Sequence, residues 1–309
     1  MTGLRLEPLT EGHLGGVHRL HREVFRTRLS LDELRRKYDT SWAGLTGAAI
    51  VAGLGDRTVG FYGAVAQRFR RGDERFTAVQ TCDSIVAAEQ RGRGLHGTMA
   101  RACYDLLRRR DVPFVYALHS AATLAACRPL GWQLSHHLEL YQARVATPPV
   151  AALAARSDAT WRAWRWWWQR ACQALAGPAE DFRSSFAATD RLHVDYAPDY
   201  LAYRCFSPNA LLRLGSATAW VRGGGSLWVG DLQAPDDDAH DRAVDSLAAL
   251  ARRVGSRRVV FQTSPGGPLA RRLRRRFEPQ SGFPIGYLPL TAHVEVEPWG
   301  CNLGDLDTF

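Results

Sequence analysis

Seven consecutive residues, Arg91-Gly92-Arg93-Gly94-Leu95-His96-Gly97, combine what an anion site needs: bare backbone and positive charge. Gly92, Gly94 and Gly97 let the main chain come close to a ligand. The free N–H groups at the start of the helix that follows would point their partial positive charge at it. The implied chemistry is anion binding, most naturally of a phosphate. A Gly-rich strand-to-helix turn that binds nothing has the same letters, so the glycines alone leave both readings open.

The elements around the turn narrow the choice. The apolar stretch Ser84-Ile85-Val86-Ala87-Ala88 has strand character, and Leu95 to Arg110 is amphipathic, so the order is strand, glycine turn, helix. Gly92, Gly94 and Gly97 match the letters of a dinucleotide fingerprint, yet the next strand, Val112 to Leu118, carries no acidic residue to hold a ribose. A Walker loop is excluded, because no Gly-Lys-Ser/Thr occurs and Lys37 is the single lysine.

What the stretch resembles is motif A of the GNAT superfamily of acyl-CoA N-acyltransferases, R/Q-x-x-G-x-G/A. Arg91 and Gly94 fit their positions, and His96 stands where a small residue is expected. The surroundings are similar as well. Asp83 to Gln90 looks like the strand-to-turn run before the motif, and Val112 to Leu118 like the strand after its helix. Pro129-Leu130-Gly131-Trp132 resembles the close of a GNAT core. The resemblance covers roughly residues 4 to 145 and implies an α/β fold with a mixed sheet, with acetyl-CoA or another acyl-CoA as co-substrate.

Composition sets the outer bounds. The chain has 309 residues, enough for two domains with a core each, and its 46% hydrophobic and 23% charged content is that of a globular protein. No run of eighteen apolar residues exists and Met1 to Leu9 has no signal-peptide core, so a soluble, cytoplasmic protein without a membrane partner is expected. The cysteines at 82, 103, 127, 172, 205 and 301 form no C-x-x-C pair, which argues against a disulfide framework and a zinc site; no metal is expected. The net charge is +9, and arginines cluster at 68–71, 108–110, 252–258 and 271–276. They read as solvated helix faces or as a surface that meets a polyanion.

Ahead of the turn, Leu4 to Leu9 alternates as a strand and Thr10-Glu11 opens a helix to about Phe25. Ser30-Leu31-Asp32-Glu33 has the form of a capping box, and a three-strand meander runs from Ala48 to Thr81. His18 and His21 share a helix face but lack a third ligand, so they read as a packing or solvated pair. Past Thr147-Pro148-Pro149 the pattern changes to a Trp/Arg-rich helix. Its Trp161, Trp164 and Trp168 fall on one face, either packing between domains or offering a platform for bases. From about Leu192 a second α/β pattern follows, with strands at 218–221, 226–231 and 258–262 and helices at 237–254 and 268–277. Its turn, Ala234-Pro235-Asp236-Asp237-Asp238, is acidic and would repel a phosphate. The expected organisation is therefore a catalytic GNAT-like domain at 1–145, a linker helix at 146–190 and a degenerate GNAT-like domain with a tail at 191–309. Two GNAT-like domains in tandem, the second lacking the phosphate-binding turn, are similar to a known branch of the superfamily.

The resemblance also implies a mechanism. The central strand splays from its neighbour, so backbone N–H groups near Ile85 and Val86 face the thioester, while Arg91, Gly92, Arg93, Gly94, Leu95, His96 and Gly97 hold the pyrophosphate. Many members carry a tyrosine proton donor where this chain has Cys127, and some carry a glutamate base where it has Gln80. The remaining candidates are Asp83, near the splay, and His119, at the end of its strand, as the base for the amine. The expected activity is transfer of an acyl group, most simply acetyl, to the amine of a small molecule. The alternative is a transferase on the same fold that takes its acyl or aminoacyl group from tRNA, with the arginine clusters and the tryptophan helix meeting the RNA.

Overall fold

The computed structural model describes residues 3–25, 29–205, 208–291, 296–297, 299–307 and 309. It contains two compact units that interleave along the chain. The first comprises residues 1–69, 74–135 and 284–296, and the second 70–73, 136–283 and 297–309. The three consecutive stretches read from the sequence therefore cut the chain differently. The boundary at 145 falls inside the second unit, and a strand from the far end of the chain completes the first.

The first unit is built from β1 (Leu4–Pro8), α1 (Leu14–Phe25), α2 (Leu31–Tyr38), β2 (Ile50–Leu54), β3 (Arg57–Arg71), β4 (Glu74–Val86), α3 (Leu95–Arg108), β5 (Phe114–Leu118), α4 (Ala121–Cys127) and the start of β6 (Gln133–Arg144). Strands β1, β2 and β3 run antiparallel, and β5 is parallel to β4. The parallel step follows from the crossover through α3, which a hairpin could not make. The capping box at Ser30 forms, with Glu33 N–H donating to Ser30 Oγ and Ser30 N–H to the Glu33 carboxylate. Helix α3 buries Leu95, Met99, Ala100, Cys103, Tyr104 and Leu107, the stripe its 3.6-residue period dictates.

The second unit takes the rest of β6, then α5 (Val150–Ala154), α6 (Asp158–Gln173), β7 (His193–Val194), α7 (Pro198–Arg204), β8 (Asn209–Leu214), β9 (Ala217–Arg222), β10 (Leu227–Gln233), α8 (Asp237–Val254), β11 (Arg258–Thr263), α9 (Pro268–Leu273) and the start of β12 (Gln280–Pro289). Its strands run β6-β11-β10-β9-β8, with β10 and β11 parallel and the other pairs antiparallel. Helix α6 packs into this unit's own core. Trp161, Trp164 and Trp168 stack in succession, and Trp164 Nε1 donates to Val254 O at 2.9 Å. The expected interdomain helix is thus a core helix. The tail docks here as well, burying Trp299, Cys301, Leu303, Leu306 and Phe309.

The unit exchange is clearest at β12. Its second half, Ile285 to Pro289, pairs antiparallel with β5 and so lies in the first unit, while Gln280–Phe283 belongs to the second. From the sequence, Gly282-Phe283 reads as the close of the second half; it lies instead inside this shared strand.

Candidate active site

The site is organised by the way β4 leaves its partner. Parallel pairing with β5 is made by Val79 with Val115 and Gln80 with Tyr116, and β4 then runs six residues further, to Val86. Within that extension Asp83 has φ +42°, a left-handed conformation in a residue with a Cβ. Such a backbone persists only where its surroundings over-determine it. Here the carboxylate accepts from Lys37 Nζ at 2.6 Å and from Tyr38 OH at 2.8 Å, and His21 Nε2 stands 3.4 Å away. Burial alone would raise this carboxyl, but the Lys37 ammonium and the bonds from His21, Lys37 and Tyr38 outweigh it and hold Asp83 well below the usual range. An ionised carboxylate spent on these partners is poorly suited to take a proton from a substrate, so the geometry gives Asp83 a role in fixing the kink. The same contacts engage His21, while His18 bonds Leu29 O at 2.9 Å. Among the described residues no group of three or more His, Cys, Asp or Glu is placed to hold a metal ion.

Beyond the kink, Ile85 is buried and Val86 half-buried, and a 3-10 turn over Ala88–Gln90 delivers the chain to Arg91. Arg91 Nε donates back to Val86 O at 3.2 Å. Gly92 and Gly94 have φ +73° and +75°, and a Cβ at either would meet nothing within 4 Å. They are glycine for conformation, and the space above them is open. Gly94 is the N-cap of α3 and supplies no side-chain cap, and the first turn of the helix has no acidic residue. Arg91 to Gly94 are exposed, so the arginines and the uncapped N–H groups face the same open surface. Leu95 is buried as the helix's first anchor and Gly97 is half-buried in its first turn.

His96 explains its departure from the motif by packing edge-on against Tyr62, ring centroids 5.6 Å apart, and burial lowers its pKa. It is the first of a chain of contacts that the sequence did not reveal. Tyr62 OH and Tyr104 OH are 2.7 Å apart, and Trp132 Nε1 donates to Tyr104 OH at 2.9 Å. The Trp132 indole meets the His119 ring edge-on at 4.8 Å. Burial is the main cause that raises both tyrosines, Tyr104 to about 12. Only the i, i+8 spacing of His96 and Tyr104 on α3 hints at this row in the sequence.

His119 sits one residue past β5 with 3% of its surface exposed. Its N–H donates to Pro284 O at 3.0 Å, and neither ring nitrogen has a hydrogen-bond partner among the described residues. Burial pushes its pKa down to about 4, so the ring is neutral at physiological pH. The room for it comes from β12, since a Cβ on Gly286 would lie 2.6 Å from His119 Cδ2 and 2.8 Å from Nε2. Cys127 is buried beside Tyr104, and burial raises its thiol, which stays protonated at neutral pH. The structure thus groups His96, Cys127 and His119 along one aromatic row and gives Asp83 to a separate ion cluster.

Residues 5–135 match the family model described as an acetyltransferase (GNAT) domain. That stretch of the chain carries a GNAT-type acetyltransferase domain. No curated protein matches its sequence. Among solved structures it is similar to a GCN5-related N-acetyltransferase from Kribbella flavida, with TM-score 0.60 and 19% identity over 93% of this chain and 72% of that one. A GCN5-related N-acetyltransferase from Sphaerobacter thermophilus gives TM-score 0.52 and 14% identity over 96% and 98% of the two chains. Eis1 from Mycobacterium abscessus gives TM-score 0.54 and 12% identity over 93% and 74%. At these identities the likeness is one of fold.

Proposed function

We propose that the chain moves an acyl group, most simply acetyl, from acyl-CoA to the amine of a small molecule by direct attack. The observation that carries this reading is the extension of β4 beyond its parallel partner into an open, uncapped glycine turn. The turn suits a pyrophosphate, with Arg91 and Arg93 adding charge, and the strand edge at Ile85 and Val86 suits the thioester and its pantetheine arm. Backbone donors aimed at a developing oxyanion are typically worth about 3 kcal/mol of barrier.

The reaction asks for a neutral amine that attacks the thioester carbonyl, followed by departure of the CoA thiolate and loss of a proton from the new amide nitrogen. His119, neutral and with neither ring nitrogen hydrogen-bonded among the described residues, fits the acceptor of that proton. Cys127, kept protonated by burial, is the remaining candidate donor to the thiolate. The test is calorimetric titration of the nucleic-acid-free protein with acetyl-CoA, followed by a screen of amine acceptors. Micromolar binding that is lost in Gly94→Glu supports the donor assignment; absence of binding refutes it.

One observation favours the alternative donor, a charged tRNA. Trp166 is 63% exposed and carries the Arg170 guanidinium over its ring at 5.5 Å, an arrangement on which a base could stack. The other tryptophans of α6 are committed to the core or its margin. Several arginines of the 271–276 run are paired with acids of their own unit: Arg272 and Arg275 with Asp237, Arg274 with Glu139, and Arg276 with Asp245. A parallel titration with bulk tRNA at moderate salt separates the two donors.

A further inference from the structure

The second unit contains a cleft of about 570 Å³ at the end of β10. Gln233 lines it from the strand, Ala234 from the turn that follows, Asp237 from the first turn of α8, and Arg271, Arg272 and Arg275 from α9 and the turn after it. It occupies, in this unit's own strand-turn-helix, the place that the glycine turn holds in the first. The acidic run Asp236-Asp237-Asp238 predicts that a phosphate is repelled there, but two of its three carboxylates have partners in the fold. Asp236 is spent as the N-cap of α8, accepting from Ala239 N–H at 2.7 Å. Asp237 is paired with Arg275 and with Arg272 Nε. Three guanidinium groups and one carboxylate line the cleft itself, with Asp236 and Asp238 beside Asp237 in the turn.

The donors are also there. A guanidinium has five N–H groups. Arg272 spends its own on Ala234 O, Pro235 O and Asp237. Arg271 gives one to Gly266 O at 2.7 Å, and Arg275 gives one to Asp237, which leaves the forks of both able to engage a further anion. Both side chains are exposed at the mouth of the cleft.

We propose that this cleft binds a phosphorylated small molecule, its phosphate held by Arg271 and Arg275, and that the second unit binds without catalysing acyl transfer. The second part follows from Asp231, which sits where β10 shifts register against β9. Its buried carboxylate accepts from Leu232 N–H and from Ser185 N–H, both at 2.8 Å. The main-chain donor just past the strand irregularity is therefore already occupied. In the first unit the carboxylate of Asp83 is turned to Lys37 and Tyr38 instead.

The test uses the full chain carrying Gly94→Glu, so that the turn of the first unit does not contribute, and inorganic pyrophosphate as the probe in calorimetry at moderate salt. Saturable one-to-one binding is expected, weakened at least tenfold by the double variant Arg271→Ser, Arg275→Ser. Asp237→Asn removes the one carboxylate of the lining and is expected to tighten binding severalfold. Absence of saturable binding, equal affinity in the double variant, or weaker binding in Asp237→Asn overturns the proposal. Melting curves establish that each variant is folded; if the double variant is not, Asp237→Asn decides alone. The outcome is independent of whether the first unit takes acyl-CoA.

Discussion

Gly94→Glu is the most informative single change, because two separable costs can be worked out for it. The first is conformational. Gly94 has φ +75° with open space around the added Cβ, so glutamate meets no clash but must hold a left-handed backbone. That costs about 1–2 kcal/mol, against a typical stability of about 5–15 kcal/mol. The chain stays folded, with a melting temperature lower by a few degrees, at about 2–4 °C per kcal/mol for domains of this size. The second cost is electrostatic. A carboxylate about 6 Å from a phosphate charge, at an effective dielectric of about 40, repels it by roughly 1.4 kcal/mol. Two such charges on a pyrophosphate give about 3 kcal/mol, or roughly a hundredfold in affinity. Gly94→Ala carries the backbone cost without the charge, so the difference between the two variants isolates the electrostatic part. Calorimetry with acetyl-CoA beside thermal melts makes the comparison. A Gly94→Glu protein that binds CoA within threefold of the wild type would refute the assignment of the turn as a phosphate site.

Further outcomes follow from the same geometry. His119→Ala should lower kcat at least tenfold with little change in the KM for the donor, and an unaltered kcat removes it from the mechanism. Because burial holds His119 at about 4, the acid limb of kcat it controls should fall near pH 4 and not near 6.5. By linkage, this depressed imidazole favours the folded state above its unfolded value of about 6.5, and the contribution is lost as pH falls from there toward 4. His119→Gln should flatten that part of the stability curve. Gly286→Val drives a side chain into the His119 ring and should reproduce the kcat loss of His119→Ala from a strand more than 150 residues away in sequence; normal turnover there would mean that the ring position is unimportant. Asp83→Asn leaves the half-buried Lys37 ammonium without its anion and should cost about 3 kcal/mol, read as a lower melting temperature at neutral pH. Since the Asp83 carboxyl is depressed, the difference from wild type should persist above the unfolded carboxyl value and shrink only in strong acid; a neutral effect at pH 7 would dissociate the ion cluster from the kink.

The local elements of the site were legible because each is dictated by short-range chemistry. Gly92 and Gly94 are required by their backbone angles, Ser30 and Glu33 by reciprocal capping, and the α3 stripe by helical period. Asp83, His119 and Cys127 were singled out by position along the chain, which says nothing of what faces them. Only folding showed that Lys37, the single lysine, comes from α2 to occupy Asp83, and that Trp132 and Gly286 enclose His119. The hydroxyl pair of Tyr62 and Tyr104 joins residues 42 apart and leaves no pattern in a linear reading.

What the sequence alone determined is thus the sign and conformation of the Arg91–Gly97 turn, the order of strands and helices that presents it, and the α/β class. Glycine at a positive φ and apolar periodicity act over a few residues, and their consequences can be read in place. What tertiary structure alone decided is which charges cancel and which chain segment completes each unit. The Asp236–Asp238 turn reads as a run of free acids until the chain at α9 brings Arg272 and Arg275 to Asp237. The first unit reads as closing near residue 145 until β12 returns beside β5. Both depend on contacts between residues distant in the chain, where Coulomb energy and strand pairing follow spatial distance and not separation in sequence.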